Sequence, residues 1–152
     1  MEKDSAFARL RDANPFHRRR LKGTERSANM ATKNLTLSTF KDTIGSGIVL
    51  VDFWAPWCGP CRIFGPVFEK VSEANPDVVF AKVNTEDQQD LAGMFQIQAI
   101  PTLMVFRDGI LLLQQPGALP AQALQKLIEQ VKALDMNQVR AEVKAQTAAA
   151  GN

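Results

Sequence analysis

Cysteine is scarce in this chain, with two among 152 residues. So few cannot form the framework of several bridges that holds small secreted domains together, and at this length roughly 70% of the unfolded surface is buried on folding without such staples. Histidine is scarcer still, His17 standing alone. A structural zinc site wants four Cys/His ligands, which two cysteines and one histidine cannot supply. No stretch approaches the ~18 consecutive apolar residues of a membrane span. Met1 to Asn14 alternates charges with single apolar residues and lacks the apolar segment of a secretory signal. Internal repeats are absent as well. The expectation is a soluble, cytoplasmic protein with one main domain, no bound metal and no membrane association.

Net charge is also small, at +2, but unevenly spread. Residues 1–29 carry eight Lys/Arg against four Asp/Glu, which leaves the remainder slightly acidic. His17-Arg18-Arg19-Arg20 has the look of a nucleic-acid patch, yet it sits among few apolar residues, and a solvated tail is the expected reading. Glu2, Asp4, Asp12 and Glu25 are out of keeping with an acid-poor transit peptide. Met30-Ala31-Thr32 starts the folded pattern with a further methionine, which raises the hypothesis that translation begins there. The expected organisation is a disordered extension over 1–32, a folded domain over 33–134, and a helical extension with a flexible tail over 135–152.

Within the domain, Asn34 to Leu37 reads as an edge strand, and Ser38 as the N-cap of a brief helix ending before Gly45-Ser46-Gly47. Ile48-Val49-Leu50-Val51-Asp52-Phe53-Trp54 is nearly all apolar, as befits a strand covered on both faces. Pro60 suits the first turn of the next helix, whose apolar positions Ile63, Phe64, Val67, Phe68 and Val71 recur at helical spacing as far as Asn75-Pro76. Pro66 interrupts its backbone bonding. Strands follow at Val78 to Asn84 and Thr102 to Phe106, with a polar helix over Asp87 to Phe95 between them. Arg107-Asp108-Gly109 turns the last strand into Ile110 to Gln115 as a hairpin, and Ala121 to Leu134 is amphipathic through Leu124, Leu127, Ile128 and Val131. The tail from Asp135 is expected to prolong that helix. This order of elements implies an α/β fold with a mixed sheet between helices.

The two cysteines fall in Trp57-Cys58-Gly59-Pro60-Cys61, where the central strand hands over to the helix. A thiol attacks as its thiolate, and an ordinary cysteine pKa near ~8.5 leaves little of it at neutral pH. At the helix start Cys58 gains from the macrodipole, at most about 2 kcal/mol and hence less than about 1.5 pKa units. A hydrogen bond from Cys61 would add to that. Cys61, one turn inside, is shielded and suited to resolving the mixed disulfide that Cys58 forms. Two buried, inert thiols are the bland alternative, and a Gly-Pro between them is a poor core pattern.

Val51 to Cys61, together with Ile100-Pro101-Thr102 and Gly117-Ala118, closely resembles the thioredoxin family over about residues 33–134. That resemblance implies a central mixed five-stranded sheet flanked by four helices, with a C-terminal hairpin and closing helix. It also implies a reducing, protein-disulfide reductase activity with Cys58 as nucleophile and Cys61 as resolving thiol. The implied protein is an electron carrier in cell redox homeostasis. No cofactor is bound; the Cys58–Cys61 disulfide is recharged by an NADPH-dependent thioredoxin reductase. Its implied partners are that reductase and diverse protein disulfides, with no nucleic acid, and the chain is monomeric. Asp52, within an apolar strand, should have a raised pKa, and the resemblance assigns it proton transfer with Cys61. Lys82 is expected to moderate that shift. Pro101 matches the family's cis-proline, and Trp57, Gly59, Pro60, Ile100, Pro101, Gly117 and Ala118 are the implied substrate-binding surface. Gly109 and Gly117 read as backbone devices, and Trp54 as core packing or a contact with the active-site loop. Two other readings stay open: an oxidase or isomerase on the same fold, and a non-catalytic binding subunit of a larger complex.

Overall fold

A computed structural model of the protein describes residues 31–150. The basic run His17–Arg20, the alternative start at Met30, the rest of the N-terminal extension before Ala31 and the last two residues lie outside the described residues. The elements in chain order are β1 (Thr32–Asn34), α1 (Leu37–Ile44), β2 (Ile48–Trp54), α2 (Gly59–Ala74), β3 (Val79–Asn84), α3 (Gln89–Met94), β4 (Thr102–Arg107), β5 (Ile110–Pro116), α4 (Ala121–Ala133) and α5 (Met136–Ala150). The five strands form one sheet in the order β1-β3-β2-β4-β5. β3 pairs in parallel with β1 and β2, whereas β4 runs antiparallel to β2 and β5.

β2 lies at the centre, and its five middle residues are all buried. Because successive side chains of a strand point to opposite faces, Val49, Val51 and Phe53 pack with Phe40 of α1 and Leu91 of α3. Leu50 packs on the other side with Phe64, Phe68 and Val71 of α2 and Leu124, Ile128 and Val131 of α4. A fully buried side chain of this size contributes about 1.5–3 kcal/mol, so both layers are strongly held. The same alternation turns Asp52 and Trp54 toward the α2 side.

Four local expectations are corrected. β1 begins two residues and ends three residues earlier than Asn34–Leu37, because Thr36 starts α1 as its N-cap. Thr36, not Ser38, is the N-cap: its backbone is extended (φ −113°, ψ 171°), its N–H donates to Thr39 Oγ1 at 3.0 Å, and Ser38 already lies inside the first turn. Ile63 fits the apolar pattern of α2 but is 72% exposed, on the side of the helix turned away from the buried Cys61, Phe64 and Phe68. The tail does not prolong α4. Arg107 donates from Nη1 to the carbonyls of Val131 (2.7 Å), Lys132 (3.3 Å) and Leu134 (3.3 Å), and Leu134 turns extended (φ −64°, ψ 139°). Asp135 Oδ1 then accepts the N–H of Asn137 at 3.0 Å and opens a separate helix, α5.

Candidate functional site

The site forms where β2 ends. Thr85 holds the exit of the strand, its N–H and hydroxyl both donating to the Trp54 carbonyl, at 2.9 and 3.1 Å. Four residues after Trp54, Cys58 is the N-cap of α2, with extended backbone (φ −82°, ψ 115°) and Pro60 in the first turn. Four N–H groups of a helix start lack intrahelical partners, and one of them, that of Cys61, donates to Cys58 Sγ at 3.2 Å. The two residues form a disulfide with their Cα atoms 5.2 Å apart. Helix termini favour negative charge at this end, so the amide that touches Sγ in the disulfide is placed to stabilise a thiolate once the bridge opens.

Ile100 approaches from the other side. Its carbonyl oxygen lies 3.6 Å from Cys58 Sγ, and its bond to Pro101 is cis. The Gly117 N–H donates to the Pro101 carbonyl at 2.8 Å, and Gly117 has φ +98°, a conformation that glycine adopts at little cost. Cys58 and Cys61 are each 4% exposed and pack on Ala55, with Trp54 and Ile100 alongside. Around this buried disulfide Trp57, Gly59, Pro60, Gly117 and Ala118 are all exposed. Trp57 Nε1 donates to Glu86 Oε1. Arg62 donates from Nε (3.1 Å) and Nη2 (3.0 Å) to the Pro56 carbonyl, tying the loop before Trp57 to α2.

Beneath the disulfide, Asp52 is 1% exposed, and neither carboxylate oxygen has a hydrogen-bond partner among the described residues. Burial pushes its pKa from 3.8 up to about 7, against the pull of the Lys82 ammonium, which lowers it. Lys82 is directly paired with Asp52 in the β2–β3 ladder, and its Nζ lies 4.8 Å from the centroid of the Trp54 ring.

The structure thus gathers Cys58, Cys61, Trp57, Gly59, Pro60, Ile100 and Pro101 at one end of the sheet, with Gly117 bonded to Pro101 and Ala118 next to it in the chain, and with Asp52 and Lys82 on the strands below. Arg62 and Glu86 were not singled out from the sequence. Arg62 carried a usable signal, being a basic residue directly after the second cysteine in the first turn of a helix. Glu86 carried none, since it meets Trp57 only through the folding of the β3–α3 connection.

A bridge that closes across one helical turn, with an amide donated to its Cys58 sulfur, exchanges electrons by making and breaking S–S bonds. Fold and site together define a thiol–disulfide oxidoreductase. Residues 31–130 match the family model described as Thioredoxin. The chain is 52% identical over 122 residues to "Putative thioredoxin 2" of Streptomyces coelicolor, covering 80% of this chain and 91% of that protein. It is 38% identical over 100 residues to "Thioredoxin" of Bacillus subtilis, covering 65% and 96%. Among solved structures, mitochondrial thioredoxin 3 of Saccharomyces cerevisiae in its oxidised form superposes with a TM-score of 0.62 at 33% identity, covering 68% of this chain and 98% of that one. The chain belongs to the thioredoxin family, and its redox-active pair is Cys58–Cys61.

Proposed function

We propose that this protein-disulfide reductase works by a two-step exchange in which Cys58 attacks, Cys61 resolves and Asp52 takes the proton from Cys61. In the reduced protein the Cys58 thiolate attacks one sulfur of a client disulfide. A Cys58–client S–S bond forms, the client S–S bond breaks, and the departing client thiolate takes up a proton. Cys61 then loses its proton to Asp52, attacks Cys58 Sγ, and expels the second client thiolate. The Cys58–Cys61 bridge is now closed, two electrons have passed to the client, and the proton held by Asp52 leaves with the client thiol or to water. A carboxyl pKa of about 7 suits a group that must accept and release a proton near neutrality.

The observation that carries this reading is the Cys61 N–H donated to Cys58 Sγ at the start of α2. It gives the Cys58 sulfur a donor that its thiolate can use and leaves Cys61 for the second step. Clients are proposed to lie across Trp57, Gly59, Pro60, Ile100, Pro101, Gly117 and Ala118, a surface poor in side chains. There the backbone of Ile100 is free to pair with an extended client strand, and main-chain pairing admits many sequences. Membership of the family supports recharging by an NADPH-dependent thioredoxin reductase and work as a monomeric electron carrier, and the bacterial relatives support a place in the cytoplasm. No helix among the described residues is long and apolar enough to cross a membrane.

The test is reduction of insulin disulfides with NADPH and a thioredoxin reductase. Wild-type protein should turn over, and Cys58→Ser should abolish turnover. An inactive wild type that is fully reduced by dithiothreitol would reject the reading.

A further inference from the structure

Trp54, Asp52 and Lys82 share one face of the sheet. Asp52 and Trp54 are two residues apart on β2, and Lys82 is the β3 residue in register with Asp52. α2 covers this face with Cys61, Phe64 and Gly65, all buried. An open pocket of about 190 Å³ separates the strands from the helix here, lined by Trp54, Ala55, Cys61, Gly65 and Lys82 among others. The Lys82 ammonium sits in it over the indole ring, and a side chain at Gly65 would come within 3.8 Å of Nζ. The ammonium is therefore confined between a ring on one strand and bare backbone on the helix.

We propose that Trp54 is a positioning residue for this reaction: its indole face holds the Lys82 ammonium inside the pocket, close enough to act on the charge of Asp52, instead of letting it extend into water. A half-buried lysine with no hydrogen-bonded carboxylate has little else to keep it there, since neither oxygen of Asp52 takes a hydrogen bond from a described residue. Attraction between a cation and an aromatic face supplies the missing hold. The other charged or titratable groups at the pocket are Cys61, Arg62 and Glu69, all from α2. β4 sets the apolar Leu103 opposite Asp52. Lys82 is thus the one cation that the strands contribute to this pocket, and Trp54 governs where it stands. This inference rests on the proposed role of Asp52 for its catalytic meaning but not for its test.

The test is direct titration of the Asp52 carboxyl by carbon NMR in the reduced full-length protein, for wild type, Trp54→Leu, Trp54→Phe, Lys82→Gln and the double variant Trp54→Leu/Lys82→Gln. Trp54→Leu should move the Asp52 midpoint upward by about half a unit as the ammonium leaves for solvent. Lys82→Gln should raise it at least as far. In the Lys82→Gln background Trp54→Leu should bring no further rise, and Trp54→Phe, which keeps a ring face and guards against loss of fold, should stay nearer wild type. An unchanged or lowered midpoint in Trp54→Leu, or an equal rise in both backgrounds, would overturn the proposal. Rates of the resolving step, followed in the same variants, separate the two claims. If Asp52 moves no proton in catalysis, those rates stay flat across pH while the titration coupling between Trp54 and Lys82 persists.

Discussion

Asp52 and Lys82 stand side by side in the β2–β3 ladder, yet neither Asp52 oxygen accepts a hydrogen bond from a described residue. The lysine lowers the carboxyl pKa through space while burial raises it further, to about 7. This unpaired arrangement keeps a buried acid titrating near neutrality, where a direct ion pair would hold it ionised.

The arrangement has a cost that depends on pH. With a folded pKa of about 7 against 3.8, the native state keeps a proton that the unfolded chain releases. The stability contributed by Asp52 is therefore full below pH 3.8 and is lost as pH rises through 7. Asp52→Ala removes this loss. Its stability relative to wild type should climb between about pH 4 and pH 7 and level off above, a total span on the order of 4 kcal/mol. Urea unfolding of both oxidised proteins at a series of pH values measures it, and parallel curves would contradict the assignment.

The same substitution should leave the first attack on a client nearly unchanged and slow the resolving step at neutral pH by about 10²-fold, the lower end of what a positioned acid or base contributes. Stopped-flow mixing of reduced protein with a fluorescent disulfide peptide resolves the two phases.

Removing the resolving thiol should stop the cycle half-way. Cys61→Ser is expected to form a stable mixed disulfide through Cys58 with each equivalent of protein disulfide, and Cys58→Ser to form none. Non-reducing gels and mass spectrometry of the adducts check this.

Arg107 serves the fold and not the chemistry. It lies at the end of β4 remote from Pro101, roughly 20 Å along the strand, where it caps α4 and ends it before α5. Arg107→Ala should lower stability by about 1–3 kcal/mol, as expected when a charged donor to several carbonyls is lost, while leaving insulin reduction within about twofold. Deleting residues 136–152 should likewise spare activity and lower stability modestly through the loss of the buried Met136. A reductase defect in either protein would point to a role of this end of the molecule in catalysis.

The elements that carry strong local signals were legible. A run such as Ile48–Trp54 has no amphipathic alternative, and Pro60 followed by Phe64, Phe68 and Val71 fixes both the start and the buried face of α2. Where two neighbouring residues offer the same chemistry the sequence does not choose, so Ser38 stood in for Thr36 until the hydrogen bond to Thr39 decided. The break after Ala133 contains neither glycine nor proline. Arg107, from a strand more than twenty residues earlier, causes it, and local pattern carries no trace of such a contact. The same holds within the site. The cysteines, Asp52 and the cis-proline loop each stand in a recognisable string, but the placing of Trp54 over Lys82 depends on the register between β2 and β3. That register exists only once the sheet is assembled.

Everything returns to the charge on Cys58 in the reduced state. Alkylation of the reduced, folded protein by iodoacetamide, followed by peptide mapping across pH, gives the midpoint at which the Cys58 sulfur becomes nucleophilic. The account predicts that Cys58 is modified first, with a midpoint well below the ~8.5 of an ordinary cysteine. A midpoint at or above that value, or faster labelling of Cys61, would contradict it.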